Sequence, residues 1–286
     1  MNIRLIPLVT LTALATVSAW AGETSHHADA GHATLEQQRH TLAENTRGKG
    51  YGPQSPRDID AHAGLNKRAF NNAPPADEMN LCNIHFHKNA EHRGGEFSTY
   101  AGDGDGFGYG SGYVFSGELP AAKLAAVDTE ICPSEHGGLA PGDTIEVHFV
   151  HSTADVKPGA TLGACVNEAI NNPQLRVEAR VFVLVNDDSA PDFAEVAGYG
   201  KRKRLYQALN MPTAGDKAVE YAGSTTGPGY NEKGSPYQVT WRVAPAVTEL
   251  NIASVGKWCQ GNDFAEDHAH GVRNLVTNPE LLSSIE

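Results

Sequence analysis

Leu81-Cys-Asn-Ile-His-Phe-His87 and Ile145-Glu-Val-His-Phe-Val-His151 are the two stretches on which the reading of this chain turns. Each is short and apolar, with histidines set into an alternating pattern. Side chains alternate faces along a strand, so residues two apart share a face. In the first stretch Cys82, Ile84 and Phe86 are expected in a core, with Asn83, His85 and His87 on the other face. In the second, Glu146, His148 and Val150 share one face, and Val147, Phe149 and His151 share the opposite one. On neighbouring strands His148 would lie across from His85 and His87. Three neutral imidazoles with an open fourth position suit a catalytic zinc, whereas structural zinc sites are closed by four protein ligands. Glu146 would then accept the second N–H of His148. An H-x-H pair alone is more often an ordinary strand pair, so the metal reading depends on both stretches together.

Outward from these two, Val177 to Val185, Tyr237 to Val243 and Glu249 to Val255 also read as strands. Ala101 to Gly112 is rich in Gly and Asp and reads as a loop. Its Asp103-Gly-Asp-Gly run lacks the Glu that closes an EF-hand, so calcium is not expected there. Helix signals are few: Leu119 to Val127, Val166 to Ile170 and Asn278 to Ile285. The expected fold is mainly β (α+β): a single domain over residues 51–286, built on a central, mostly antiparallel twisted sheet with peripheral helices.

Met1-Asn-Ile-Arg4, the apolar run Leu5 to Val17 and Ala19-Trp-Ala21 form a secretory signal pattern, with 1–21 as the signal peptide. The run is shorter than the roughly 20 apolar residues of a membrane span. Residues 22–50 are polar, with His26, His27, His32 and His40, and are expected as a flexible arm holding at most a short helix over 33–45. The expected location is therefore outside the cytoplasm: periplasmic in a Gram-negative bacterium, secreted otherwise. In that setting the four cysteines, Cys82, Cys132, Cys165 and Cys259, imply two disulfides, with three pairings open. A net charge of -12 argues against nucleic acid and against anionic membrane surfaces.

The ligand strands resemble those of the α-type carbonic anhydrases, which read roughly FHFH and ELHLVHW. Three more segments match in the same order. Gln54-Ser-Pro-Arg-Asp-Ile-Asp60 is similar to QSPxDI, and Glu91-His92 to an EH dipeptide. Tyr221-Ala-Gly-Ser-Thr-Thr-Gly-Pro228 with Val239-Thr-Trp241 is similar to YPGSLTTP…VTW. The spacings depart from the α pattern, being shorter before the first ligand strand and longer after Glu91-His92. Together with Asp267-His-Ala-His-Gly-Val-Arg273, they resemble the δ-class carbonic anhydrases over residues 50–286.

The resemblance implies reversible hydration of CO2 to bicarbonate and a proton at zinc on His85, His87 and His148, with Co2+ or Cd2+ as substitutes. In carbonic anhydrases three-histidine zinc brings the pKa of a bound water to about 7. By the same resemblance Thr226, with Thr225 as the alternative, orients the attacking oxygen, Glu91 accepts the threonine proton, and Glu146 supports His148. Val150, Val183 and Trp241 would form the apolar wall for CO2. The family's proton-shuttle position falls in a shortened stretch, leaving His62, His92, His151, His268 and His270 open. Two rival readings keep the fold but change the chemistry: a non-catalytic exported metal binder, and a zinc hydrolase (esterase). A third, a two-histidine-one-carboxylate iron site, would need Glu146 in place of His148.

Overall fold

Alternation in the two histidine stretches becomes two adjacent antiparallel strands. The computed structural model describes residues 23–68, 71–213, 217–225 and 227–286, with side chains described from residue 31 onward. The expected signal peptide and Thr226 lie outside the described residues. Nine strands follow in chain order: β1 (Asn80–Lys88), β2 (Thr99–Asp103), β3 (Ser111–Val114), β4 (Thr144–Ser152), β5 (Leu175–Val185), β6 (Tyr199–Arg202), β7 (Leu205–Ala208), β8 (Val219–Ser224) and β9 (Gln238–Asn251). Five of them form the central sheet, in the order β1-β4-β5-β9-β8. All its pairings are antiparallel except β5 with β9. The mainly β, mostly antiparallel expectation holds.

The sheet is buried on both faces. One face carries Ile84, Phe86, Val147, Phe149, Phe182 and Leu184. It is covered by the short helix α2 (Phe193–Val196) and by α3 (Ile252–Cys259), whose Ile252, Val255 and Trp258 pack onto those strands. The other face carries Val150, Val177, Ala179, Val181, Tyr221 and Trp241 and, beside them, the histidines. Two sequence expectations change here. Cys82 leaves the face of Ile84 and Phe86 and joins the second core, because a bulge between Leu81 and Asn83 inserts one residue and shifts the alternation. Residues 249–255 are not a separate strand. β9 runs to Asn251, whose side chain accepts from the amides of Ala253 and Ser254 and so caps α3.

Residues 22–50 differ most from expectation. Instead of an arm with a short helix, they contain the helix α1 (Glu23–Thr46). Leu35, Gln38 and Leu42 lie along one of its faces. Leu42 packs with Val276, Leu281 and Leu282, and Gln38 Nε2 donates to Gly106 O at 2.9 Å. Two of the three other expected helices reduce to 3-10 turns at Ala121–Leu124 and Pro279–Leu281, and Val166–Ile170 is not helical, a 3-10 turn at Leu162–Cys165 ending just before it. The cysteines pair Cys82 with Cys165 and Cys132 with Cys259. The first pair ties β1 to the Leu162–Cys165 turn beside the histidines. The second fastens the end of α3 on the opposite face.

Candidate metal centre

His85 and His148 are register partners across β1 and β4, and His87 pairs with Glu146. This register puts the three imidazoles together, with ring centroids 4.8 to 5.3 Å apart. One nitrogen of each ring is already engaged. His85 Nδ1 donates to Asn83 Oδ1 at 2.6 Å, His87 Nδ1 to Gly271 O at 2.9 Å, and His148 Nε2 to Glu146 Oε1 at 2.9 Å. One nitrogen from each ring lies within 4.8 Å of the other two, and those left unengaged by protein oxygens are His85 Nε2, His87 Nε2 and His148 Nδ1. His87 Nε2 is buried without a hydrogen-bond partner, and His85 Nε2 stands 3.1 Å from His148 Nδ1.

Lone pairs converging without a proton between them repel, so the donor set asks for a cation. Burial favours the neutral rings a metal needs. It holds His85 well below the usual histidine range, reinforced by His148, His87 and His270. Burial also lowers His87 to about 4, against the opposing pull of Glu91. The chemistry of three neutral nitrogens fits zinc.

Glu146 is the hub behind the rings. Its Oε1 accepts from His148 and from His92 Nδ1 at 2.6 Å. Its Oε2 accepts from the amides of Glu91 at 2.7 Å and His92 at 3.1 Å. Burial alone would raise its pKa, but His92 and His148 outweigh that and hold the carboxyl well below the carboxylate range. His92, Glu146 and His148 also group as a possible metal triad. Both Glu146 oxygens are consumed by N–H donors, so this group is a hydrogen-bonded support. The rival set of His85 and His87 with Glu146 in place of His148 is not brought together as such a group among the described residues. His92 continues the chain, with its Nε2 2.7 Å from the hydroxyl of Tyr221 and its ring 4.8 Å from Trp241.

Glu91 accepts from the amide of Arg273 through Oε1 at 2.9 Å. Its Oε2 is buried without a hydrogen-bond partner among the described residues, 3.9 Å from His148 Nε2. Thr225 engages Ser235 Oγ at 2.9 Å and is thereby turned to a different partner. Thr226, expected to face Glu91, lies outside the described residues.

Above the imidazoles opens a cavity of about 330 Å³. Val150 and Trp241 line it as the sequence suggests, joined by Val177, Val239 and Leu162, which the sequence reading missed. Val183 does not line it. It lies near the far end of β5, paired with Thr144 and Glu249, whereas Val177, six residues earlier on the same strand, faces the site. Phe107 and Tyr109 stand at the mouth, carried by the β2–β3 loop. Gly108 lets that loop lie on the Gly271–Val272 backbone: its φ is +97°, and a Cβ there would sit 2.3 Å from Val272 O.

The five open histidines separate cleanly. His92 is fully buried and His151 is on the opposite face, bonded to Phe149 O and lowered to about 4 by burial. His62 is exposed, with its carbonyl accepting from Ile285. His270 lines the cavity, with its Nε2 2.7 Å from Glu266 Oε2, a bond that raises its pKa. His268 sits outside it, paired with Asp267. Asn83 was placed on the ligand face without a role. Gly271 and Arg273 belong to the Asp267–Arg273 segment that carries the resemblance, but a backbone oxygen and a distant arginine leave no pattern that assigns them a place beside the ligand strands.

A sequence model described as delta carbonic anhydrase matches residues 76–254. Among solved structures, the α-carbonic anhydrase from Thermovibrio ammonificans, in complex with the inhibitor sulfanilamide, is similar at 17% identity. That match covers 78% of this chain and 84% of that one, with a TM-score of 0.28. The Photobacterium profundum α-carbonic anhydrase is similar at 17% identity, covering 84% of this chain and 93% of that one, with a TM-score of 0.27. No curated protein sequence matches.

Proposed function

This chain belongs to the delta carbonic anhydrase family, and from that premise we propose that it hydrates CO2 reversibly at a zinc ion held by His85, His87 and His148. The observation that carries the reading is the convergence of His85 Nε2, His87 Nε2 and His148 Nδ1, with each opposite nitrogen engaged by a protein oxygen. When bound, the metal supplies the Lewis acidity that brings deprotonation of a water near neutral pH, as in carbonic anhydrases generally.

The chain's own residues do the rest. Asn83, Gly271 and Glu146 fix the orientation of the three rings and hold the protons on the nitrogens facing away from the metal. Glu91 offers Oε2 as a buried acceptor, and the role we assign to the hydroxyl of Thr226 is to donate to that carboxylate and to accept from the reacting oxygen. Val150, Val177 and Trp241 present an apolar wall that receives CO2 without competing for hydrogen bonds. His270, at the cavity edge, is placed to pass a proton toward solvent. The two disulfides are compatible with an oxidising compartment, and we place the mature protein in the periplasm or outside the cell. Among the described residues no helix is long and apolar enough to cross a membrane.

Stopped-flow CO2 hydration on the purified protein, before and after chelation and again after zinc return, tests this. Rapid hydration that vanishes with the metal and returns with it is the expected result. Metal-loaded protein with no hydration at any pH would overturn the reading and leave a binding protein on this fold.

A further inference from the structure

Arg273 is 1% exposed, yet no carboxylate lies within ion-pair distance of its guanidinium among the described residues. Its hydrogen-bond partners there are neutral oxygens, and the guanidinium also lies 5.8 Å from the centre of the Tyr230 ring. Nη1 donates to Ser55 O at 2.6 Å and lies 3.4 Å from Ser224 Oγ, while Nη2 donates to Tyr230 O at 2.9 Å. Nε has no partner. Burying a charge on neutral oxygens is a costly way to fasten a chain, and an apolar side chain of similar volume often does as well or better. The placement gives a reason for the cost. Ser224 and Tyr230 bracket a segment whose Thr225, Gly227 and Pro228 line the cavity. The same residue's amide holds Glu91 Oε1 at 2.9 Å. A single residue therefore ties together both ends of the threonine segment and the carboxylate that the segment must meet.

We propose that Arg273 is a positioning residue for catalysis: its buried guanidinium clamps segment 224–230 at both ends and, through its own amide, sets the distance between that segment and Glu91. The inference rests on the hydration reading above. The planar fork is what the task requires, since it reaches Ser55, Ser224 and Tyr230 in separate directions, whereas a lysine ammonium is a single point on a flexible stem. The clamp does not touch the imidazoles, so it governs rate and leaves metal binding alone.

A double-mutant cycle on the zinc-loaded protein tests this, with Arg273→Lys and Glu91→Gln made singly and together. The readouts are zinc content, kcat/KM for CO2 hydration and the denaturation midpoint. Arg273→Lys is expected to keep full zinc and lose about ten- to a hundredfold in kcat/KM, the range typical of supporting residues around a metal site. In the Glu91→Gln background, with the carboxylate already gone, the same change should cost almost nothing further in rate, while its midpoint loss persists. An equal rate loss in both backgrounds, or no loss in either, overturns the proposal. If Arg273→Lys does not fold, Ser224→Ala releases one end of the clamp and enters the same cycle with the same criteria. Absence of zinc-dependent hydration in the wild-type protein would sink the functional reading and this inference with it. Hydration with an additive cycle would sink the inference alone.

Discussion

His148 and Phe149 are neighbours on β4, and they face two different molecules. Phe149 enters a dry aromatic core with Phe86, Phe193 and Trp258, closed by the Cys132–Cys259 bridge. His148 enters a face where apolar residues such as Val150, Val177 and Trp241 surround a hydrogen-bonded chain that runs from Glu146 through His92 to Tyr221. His148 and Phe149 are both buried, although the His148 face opens into the cavity. What separates them is the cost of an error. An apolar core charges for lost volume in proportion to the hole. A hydrogen-bonded network charges for each group left without a partner. The first face sustains the fold, and the second spends part of that stability on holding lone pairs in place.

The largest expected effect tests that contrast directly. His148→Ala should lose metal and hydration together, read by metal analysis and stopped flow, with little change in the unfolding midpoint of the metal-free protein. Phe149→Ala, one residue on, should do the opposite. It should cost about 3–5 kcal/mol in denaturant unfolding while the folded fraction keeps its zinc and its turnover. A His148→Ala variant that stays loaded and active would remove it from the ligand set. A Phe149→Ala variant that loses zinc while folded would show that the two faces are coupled through the strand.

Next in size, Thr226→Ala should retain zinc and lose about a hundredfold or more in kcat, the range for removing one preorganised hydrogen-bonding group from a reacting centre. Full activity would hand the role to another donor to Glu91, with Thr225 requiring release from Ser235 first.

The smallest effect concerns acid. Each face buries a histidine lowered to about 4, His87 on the metal side and His151 on the apolar side. The unfolded chain takes up these protons near pH 6.5 and the folded one only near 4, so between those values the unfolded state binds more protons. Stability therefore rises with pH across this window, is complete above about 6.5, and is lost as pH falls toward 4. Thermal midpoints of metal-free protein from pH 7 to 4 should decline accordingly, and His151→Gln should flatten the decline without altering zinc affinity at pH 7. An unchanged slope in that variant would show that His151 is not charged on unfolding.

Parts of this could be read from the residues directly. The alternation in 83–87 and 145–151 places three histidines on one face because strand periodicity is local. Two further readings failed for reasons that are not local. The bulge at Leu81–Asn83 depends on how β1 meets β4, and it moves Cys82 across the sheet. Ile252 to Val255 carry the branched residues of a strand, but Asn251 caps the backbone there and the aromatic core of α2 and β1 receives a helix. α1 depends on the same kind of cause: Leu35 and Leu42 are too sparse to predict a docked helix, and what Leu42 docks on comes from Val276, Leu281 and Leu282 at the other end of the chain.

By itself, the sequence determined the strand character of the ligand segments, the residue types able to bind a metal, the supporting place of Glu146 and an even complement of cysteines, since each follows from periodicity, chemistry or count. Only the tertiary structure decided which cysteines pair, that Val177 and not Val183 faces the cavity, that His92 is buried against Glu146, and that the Gly271 carbonyl meets His87 and the Arg273 amide meets Glu91. Those outcomes depend on strand order, register and the path of the C-terminal segment, which bring together groups 182 and 184 residues apart. No local pattern encodes such a meeting, because the contacts exist only once the sheet has closed.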